Sequence, residues 1–281
     1  MHRRHFLHRA GAAAACASLP SLAGCGGGFA PRRVFRLLNY NIYAGRNQDE
    51  SHNLQRIVEV IRAGRPDAVA LQEVDVGTRR NQGRDIAAVI AGELGMRHAF
   101  GRAIDFQGGQ YGNAVLSRHP ILASRTHPLD GEGAEDRSGL ECAIAVPGLE
   151  HPLQLISVHL CHRDAGRRAR QLTTLQGAIG NNGRSARIIA GDFNDGPDSP
   201  LLRDFAAAGW QDLAPESQRA TPTFSSDNPR RRIDYIFAHT PFSGTVMNFA
   251  VGVEMVPGCA EFQAELALAS DHLPMVVEFS I

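Results

Sequence analysis

Residues 188–194 have the sequence Ile188-Ile189-Ala190-Gly191-Asp192-Phe193-Asn194, an apolar run that ends in a carboxylate and an amide. A short apolar run bounded by polar residues is typical of a buried strand. Asp192 and Asn194 would then follow the strand, where they either close an Asx turn or face a functional site. This stretch alone is compatible with both interpretations.

The same pattern, an apolar run next to acidic or hydrogen-bonding residues, recurs along the chain. Each instance has a structural interpretation by itself, since a lone histidine in a strand is more often hydrogen-bonded structure than a ligand. Several carboxylates at sheet edges are nevertheless unfavourable together unless a cation or donor compensates them. The polar residues at these strand ends are Asn41, Glu73, His159, Asp192, Asn194, Asp234, Asp271 and His272.

Helical periodicity is confined to a few segments between the apolar runs. It predicts helices over 49–62, 86–94 and 164–179, and Ser199-Pro200 predicts the start of a fourth. Strands outnumber helices without strict alternation, which favours an α/β fold with two facing sheets flanked by helices over a Rossmann sheet or a TIM barrel. The predicted strands cover residues 34–43, 68–71, 114–117, 121–126, 140–146, 153–160, 188–190, 233–238, 245–251 and 274–279.

The composition excludes several classes of function. The 281 residues include 29 basic and 29 acidic ones, every basic residue being an arginine, so nothing attracts the whole chain to nucleic acid or anionic lipid. The five cysteines form no Cys-x-x-Cys pair, which gives no support to zinc-ribbon or thioredoxin-like chemistry. Cys142, Cys161 and Cys259 could form one disulfide and leave one thiol, and the sequence does not decide this.

The amino-terminal residues have the features of an export signal. Paired arginines precede an apolar stretch too short to span a membrane, and the Arg-Arg-x-Phe-Leu pattern resembles a twin-arginine signal. Leu22-Ala23-Gly24-Cys25 resembles a lipobox in which Cys25 is lipidated, with cleavage alone as the alternative. We expect a signal peptide over 1–24, a tether over 25–32, one domain over 33–281, and an exported, periplasmic or cell-envelope lipoprotein anchored to a membrane through Cys25.

The chemistry of the polar strand ends indicates a hard metal ion. Carboxylate and amide oxygens without thiolates suit magnesium, manganese or calcium rather than zinc. A divalent ion beside histidines is what phosphoester hydrolysis requires, because the ion neutralises phosphoryl oxygens while a base aligns water and a donor assists the leaving oxygen. The sequence therefore predicts a phosphoester hydrolase that uses Mg²⁺ or Mn²⁺, with one ion or two left open.

Seven short motifs, in order, resemble the endonuclease/exonuclease/phosphatase superfamily of metal-dependent hydrolases with its deoxyribonuclease I-like fold. The resemblance covers essentially the whole chain after the signal. It implies a four-layer α/β/β/α sandwich, in which two mixed sheets pack face to face with helices outside. The motifs are Asn39-Tyr40-Asn41, Leu71-Gln72-Glu73, Tyr111-Gly112-Asn113, Ser157-Val158-His159, Gly191-Asp192-Phe193-Asn194, Ile233-Asp234-Tyr235-Ile236 and Ser270-Asp271-His272-Leu273-Pro274.

The resemblance implies how the acidic residues divide the work. Glu73 corresponds to the principal metal-binding carboxylate, with Asn41 supporting the metal and Asp271 near it. Asp192 corresponds to the residue that orients or deprotonates the attacking water, which would add in line to phosphorus. Which residue is the general base remains open at this point.

The resemblance also implies four residues that handle the phosphate. Asn194 would hold the scissile phosphate. Asp234 would pair with His272 and fix its tautomer, so that the imidazole can bind or protonate a phosphate oxygen. His159 resembles a second histidine that donates to the phosphate or to the leaving group.

Three further residues are candidates for contacting the substrate. Tyr111 and Asn113 resemble phosphate-contacting or site-packing residues, and Arg232, just before Asp234, is placed to meet an anionic group. A lipid headgroup or small phosphoester is the favoured substrate. An exported endo- or exonuclease is the first alternative, and an inactive lipoprotein that binds a phosphate ligand is the second. We expect a monomer.

The lipobox generates a direct prediction. A Cys25→Ala variant should lose label from a metabolically incorporated fatty acid, because the thiol that carries the lipid is absent. Labelling is measured on the expressed, immunopurified protein, with Cys16→Ala as the matched control. Equal labelling of Cys25→Ala and the unsubstituted chain would refute the anchor.

Overall fold

Twelve strands and four α-helices make up the regular structure of the computed structural model, which describes residues 33–47, 51–179, 183, 185–239, 242–252 and 269–281. The elements of this part, in chain order, are β1 (Val34–Asn41), α1 (Leu54–Gly64), β2 (Ala68–Val76), α2 (Ile86–Leu94), β3 (Arg97–Phe106), β4 (Gly109–Ser117), β5 (Ile121–Leu129), β6 (Arg137–Ile144), β7 (Leu153–His159), α3 (Ala165–Ile179), β8 (Arg187–Asp192), α4 (Pro200–Ala207), β9 (Trp210–Asp212), β10 (Asp234–His239), β11 (Val246–Val251) and β12 (Met275–Ser280).

The strands form two six-stranded mixed sheets, and each sheet has one parallel pair of strands at its centre. The first has the order β11-β12-β1-β2-β4-β3, and the second has the order β5-β6-β7-β8-β10-β9. At each centre two strands run parallel, β1 with β2 and β7 with β8, so their carboxyl ends lie at one edge. The strand β10 runs antiparallel to β8, which brings its first residue, Asp234, opposite the last residue of β8, Asp192.

Three hydrophobic clusters separate the layers. The cluster between the sheets contains residues from the inner faces of both, such as Leu37, Leu155 and Ile236. Residues of α1 and α2 pack on the outer face of the first sheet, and residues of α3 and α4 pack on the outer face of the second. This is the predicted four-layer α/β/β/α sandwich, and the prediction of fold class is confirmed.

The two-residue period of the strands positions the polar residues. Alternate side chains of a strand share one face, and those of β8 on the inner face are Ile188, Ala190 and finally Asp192. The inner face of β7 has the same arrangement and ends at His159, which is buried. The inner faces are therefore apolar over most of their length and become polar at one edge.

The strands β2 and β4 are each five residues longer than predicted, and the observed elements differ from the predicted ones in three further respects. The first helix begins at Leu54, because the side chain of Asn53 accepts a hydrogen bond from the Arg56 N–H and caps it. The strands β3 and β9 were not predicted. Most residues of β3 are exposed or half-buried, so it lacks the apolar run by which a strand is recognised.

Several features proposed from the sequence lie outside the described residues. These include the export signal, the lipobox, the tether up to residue 32, and Cys259. Cys142 and Cys161 are both free thiols. No described helix is both long and apolar enough to cross a bilayer.

The close packing of β7 against β8 generates a stability prediction. A Cβ at Gly191 would lie 1.9 Å from the Val158 carbonyl oxygen, so Gly191→Ala must push the two strands apart. We expect the free energy of unfolding to fall by about 3 kcal/mol, as is typical of overpacked interiors. Denaturation in urea measures it.

The matched control for this substitution is Gly92→Ala. Gly92 lies in α2, and a Cβ there has no described atom within 4 Å. Alanine should raise the free energy of unfolding by about 0.5 kcal/mol, since glycine is a poor helix former. Equal effects of the two substitutions would contradict the packing argument.

Candidate active site

The amide nitrogen of Asn41 lies at the centre of the polar edge. Its Nδ2 is 3.1 Å from Oε1 of Glu73 and 3.2 Å from Oδ2 of Asp192. It is also 3.3 Å from Nε2 of His272. Residues 41, 73, 192 and 272 therefore meet at one cleft between the two sheets.

A backbone contact sets the orientation of the Asn41 amide. The side-chain oxygen of Asn41 accepts a hydrogen bond from the Tyr43 N–H at 3.1 Å, which turns the NH₂ group towards Glu73 and Asp192. An amide NH₂ group is a donor and has no lone pair to offer a cation. Asn41 thus donates to both carboxylates and holds them in place, and its role in supporting the metal stays a prediction.

Asp234 and His272 form a hydrogen-bonded pair. Nδ1 of His272 lies 2.9 Å from Oδ2 of Asp234, and that oxygen also accepts from the Thr223 hydroxyl at 2.6 Å. Burial of the ring opposes its charge, but the carboxylates of Asp234 and Asp192 outweigh burial and raise the pKa of His272 to about 10. The pair holds a charged imidazole whose Nε2 faces the cleft.

Asp192, Asn194 and His159 form a second contact group. The Asn194 N–H donates to Oδ1 of Asp192 at 2.9 Å, and the Asn194 amide lies 3.2 Å from Nε2 of His159. Burial raises the pKa of Asp192 to about 7, although the charge of His272 opposes this shift. Burial also lowers the pKa of His159 well below its usual value, and the charge of Arg137 adds to this, so the ring is neutral at neutral pH.

Two candidate residues adopt the left-handed backbone conformation that favours glycine. Glu73 has φ +57° and Asn194 has φ +53°. Asparagine tolerates this region, whereas glutamate does so only rarely. In β2 the pairing with β4 shifts register between Leu71 and Val74, and this bulge turns Glu73 towards the cleft. Such strain persists where the surrounding structure enforces it.

The donors at the cleft fit a hard dication. Glu73, Asp192, Asp234 and Asp271 bring four carboxylates together. Burial, with a contribution from Glu73, raises the pKa of Asp271 to about 6, as expected where negative charge is in excess. Oδ1 of Asp234 is buried without a hydrogen-bond partner among the described residues. A bound divalent ion would compensate both the excess charge and the unpaired oxygen.

One group of three side chains is explained by a hydrogen bond and does not require a metal ion. Asp192, Asp234 and His272 each place a possible ligand atom within 4.8 Å of the others. Nδ1 of His272 is already hydrogen-bonded to Asp234, so ligation through that nitrogen would break the buried pair. Glu73 and Asp271, with Asp192, are the more suitable oxygen donors for Mg²⁺ or Mn²⁺.

Arg137 is a cleft residue that the sequence did not reveal. It is 5% exposed, and its Nε has no hydrogen-bond partner among the described residues. Burial disfavours its charge, but Tyr111, Glu135, Glu73 and Asp192 together raise its pKa. It begins β6, beside Ser138, which pairs with His159. An arginine before an apolar run does not differ in sequence from a surface charge.

Tyr111 and Asn113, both predicted to contact or pack around the phosphate, lie in different surroundings. Tyr111 lies at the edge of the cleft, where burial, followed by the charge of Glu73, raises the pKa of its hydroxyl well above the usual value. The amide of Asn113 donates to the Ser138 carbonyl at 2.6 Å and is buried. Asn113 therefore joins β4 to β6, which agrees with the site-packing role, one of its two predicted roles.

The structure corrects the predicted role of Arg232 in contacting an anionic group. Its side chain is 1% exposed, and its guanidinium donates to both carboxylate oxygens of Asp212, at 2.7 and 2.9 Å. It also donates to the Arg219 carbonyl and stacks over the Tyr235 ring. All of this fixes the loop before β10, so the contacts that Arg232 makes are structural.

The family follows from these observations. A model of the Endonuclease/Exonuclease/phosphatase family matches residues 38–272, and the chain belongs to this family. The nucleases and phosphatases in the family's name all hydrolyse phosphate esters, and the chain is a hydrolase of this general class.

Similar proteins agree with this assignment. The uncharacterized protein YbhP of Escherichia coli K12 is 29% identical over 215 residues, which are 72% of this chain and 84% of YbhP. A crystal structure of an endonuclease/exonuclease/phosphatase from Beutenbergia cavernae has a TM-score of 0.73 at 26% identity, covering 89% of this chain and 72% of that one. The mannosyl-6-phosphatase Bt3783 of Bacteroides thetaiotaomicron has a TM-score of 0.68 at 16% identity, covering 88% and 100%, and shows the same fold.

The Asp234–His272 pair generates a prediction for the metal-free protein. His272 should remain protonated well above pH 7, because the bonded carboxylate favours the charged ring, and Asp234→Asn should lower its pKa by more than about 1 unit. NMR titration of the histidine ring nitrogens measures this. A wild-type His272 that loses its proton below pH 7 would contradict the prediction.

Proposed function

We propose that the chain is a phosphodiesterase or phosphatase that depends on Mg²⁺ or Mn²⁺ and adds water in line to phosphorus. The observation that carries this proposal is the convergence of Glu73, Asp192 and His272 on the Asn41 amide. Acidic oxygens and a charged imidazole at one cleft are what the transfer of a phosphoryl group to water needs.

Each residue has a task that its contacts support. The charged ring of His272, held by Asp234, can donate from Nε2 to a phosphate oxygen. The amide of Asn194 donates to the Leu160 carbonyl at 3.1 Å and can donate to another phosphate oxygen when it gives up its contact with His159. The buried carboxylate of Asp192, with its pKa near 7, can accept a proton from the attacking water at neutral pH. His159 lies 3.4 Å from Asp192 and is the second candidate to accept that proton.

A bound metal ion would add positive charge to a site rich in carboxylates. Glu73 and Asp271 are the carboxylates that would hold it, and when bound it would neutralise the phosphoryl oxygens and the developing charge on the leaving group. The charged His272, next to Asp234 and Asp192, would add a second positive charge at the site. Asn41 keeps Glu73 and Asp192 in place through its two hydrogen bonds.

We further propose that the enzyme works in the cell envelope as a monomeric lipoprotein. The paired arginines and the lipobox support removal of residues 1–24, lipidation of Cys25 and a tether over 25–32, followed by the hydrolase domain over 33–281. A membrane-anchored enzyme of this kind would meet lipid headgroups or small phosphoesters. Plasmid cleavage in the substrate panel below would favour an exported nuclease instead.

The proposal is tested with the purified domain and a panel of substrates. The panel contains bis(4-nitrophenyl) phosphate, 4-nitrophenyl phosphate, sphingomyelin, phosphatidylinositol lipids and plasmid DNA. We expect turnover with Mg²⁺ or Mn²⁺ and its loss in excess chelator. Asp192→Asn and His272→Gln should each lower kcat by at least about 100-fold, the usual effect of losing a general acid or base.

The controls are chosen to match these two substitutions. Asp204 on α4 and His98 on β3 are exposed and distant in sequence from every candidate residue. Asp204→Asn and His98→Gln should keep full turnover, and circular dichroism should show the same fold for all four variants. Full activity in excess chelator, or in both site variants, would contradict the proposal.

A further inference from the structure

A cavity of about 480 Å³ adjoins the candidate active site, with Asn194 in the wall between them. Three segments line it: the one after β7 with the start of α3, the one after β8, and the one before β10. Its lining is strongly basic. The arginines around it are Arg163, Arg168, Arg230, Arg231 and Arg232.

Two of these arginines build the walls of the cavity. Arg168 pairs with Asp195 at 3.1 Å, and Arg232 pairs with Asp212. The Tyr235 hydroxyl donates to the carbonyls of Asp195 and Arg232, at 3.0 and 3.1 Å, and joins the two walls. The cavity is therefore held in shape by buried or partly buried polar contacts, and not merely enclosed by surface side chains.

The other three arginines have no ion pair with a carboxylate among the described residues. These are Arg163, Arg230 and Arg231. The backbone N–H groups of Arg230 and Arg231 both donate to the Phe224 carbonyl at 3.0 Å, and the Arg231 guanidinium lies 5.0 Å from the Phe224 ring. Their loop is thus fixed with uncompensated positive charge at the cavity, an arrangement that an anion stabilises.

Two guanidiniums approach the ring of His162, which cannot accept a hydrogen bond from both. Arg137 approaches its Nδ1 at 3.2 Å, and Arg163 donates to its Nε2 at 2.9 Å. Burial, together with these two positive charges, lowers the pKa of His162, so the ring is neutral. A neutral imidazole has one lone pair and accepts from only one of the two guanidiniums at a time. The other guanidinium therefore has no acceptor on this ring.

We propose that this cavity binds a second phosphate group of the substrate while the scissile phosphate lies at Asn194. The inference rests on the proposed function and narrows it to phosphoesters that carry at least two phosphate groups. Arginine suits this task, since its planar fork matches phosphate oxygens. A phosphorylated nucleotide and a phosphorylated inositol headgroup both offer this chemistry.

The kinetic test compares substrates that differ only in the second phosphate. One pair is the dinucleotide TpT without and with a 5′-phosphate, and the other is glycerophosphoinositol without and with a 4-phosphate. In at least one pair the added phosphate should raise kcat/KM about tenfold, the effect of one charged hydrogen bond. The variant Arg163→Gln/Arg230→Gln should lose this gain.

Arg125→Gln is the matched control, because Arg125 is exposed on β5 in the outermost strand of the second sheet. It should keep the gain. No gain in either pair for the wild type, or an equal gain in the double variant, overturns the inference. Which pair responds identifies the source of the phosphate.

A binding measurement separates this inference from the proposed function. Calorimetry on the metal-free protein compares thymidine 3′,5′-bisphosphate with thymidine 5′-monophosphate. The wild type and Arg125→Gln should prefer the bisphosphate about tenfold, and the double variant should bind both alike. A preference kept by the double variant overturns the cavity assignment even if the domain hydrolyses every phosphoester tested. A preference lost in that variant supports it even if the domain hydrolyses none.

Discussion

Mutual repulsion among closely spaced carboxylates is the constraint around which this protein is organised. Four acidic side chains share one cleft, Asp192 and Asp234 buried and Glu73 and Asp271 half-buried, and this is favourable only where donors or cations compensate their charge. The chain supplies an amide donor from Asn41, a charged ring at His272 and a buried guanidinium at Arg137. The apolar inner faces of both sheets support this arrangement, because they fix the strand ends on which the charged groups stand.

Much of the fold could be predicted from the sequence because strand periodicity and core packing coincide in its central strands. In β7 and β8 the apolar run, the period of two and the polar terminus all indicate the same inner face. This agreement fails at the edges. The strand β3 lies at the edge of its sheet and its residues are mostly exposed or half-buried, so it needs few apolar residues and gives no hydrophobic signal.

The candidate site was less predictable than the fold, for a different physical reason. A sequence indicates which residues end a strand, but not which of the nearby partners each side chain selects. Arg232 turns inwards to Asp212, and Asn113 turns to the neighbouring sheet, although both stand next to cleft residues in the chain. Arg137 showed the reverse, since only the pairing of β6 with β7 brings it beside His159. Hydrogen-bond partners across sheets are a property of three-dimensional packing.

The unusual backbone of Glu73 sets stability against activity at one position. Glycine would adopt φ +57° without strain, so a Glu73→Gly exchange relaxes the bulge in β2. The same exchange removes a carboxylate from the cleft and frees the Asn41 amide. Directed evolution that selects only for thermal tolerance would therefore tend to discard this glutamate, a trade-off that laboratory stabilisation of the enzyme must guard against.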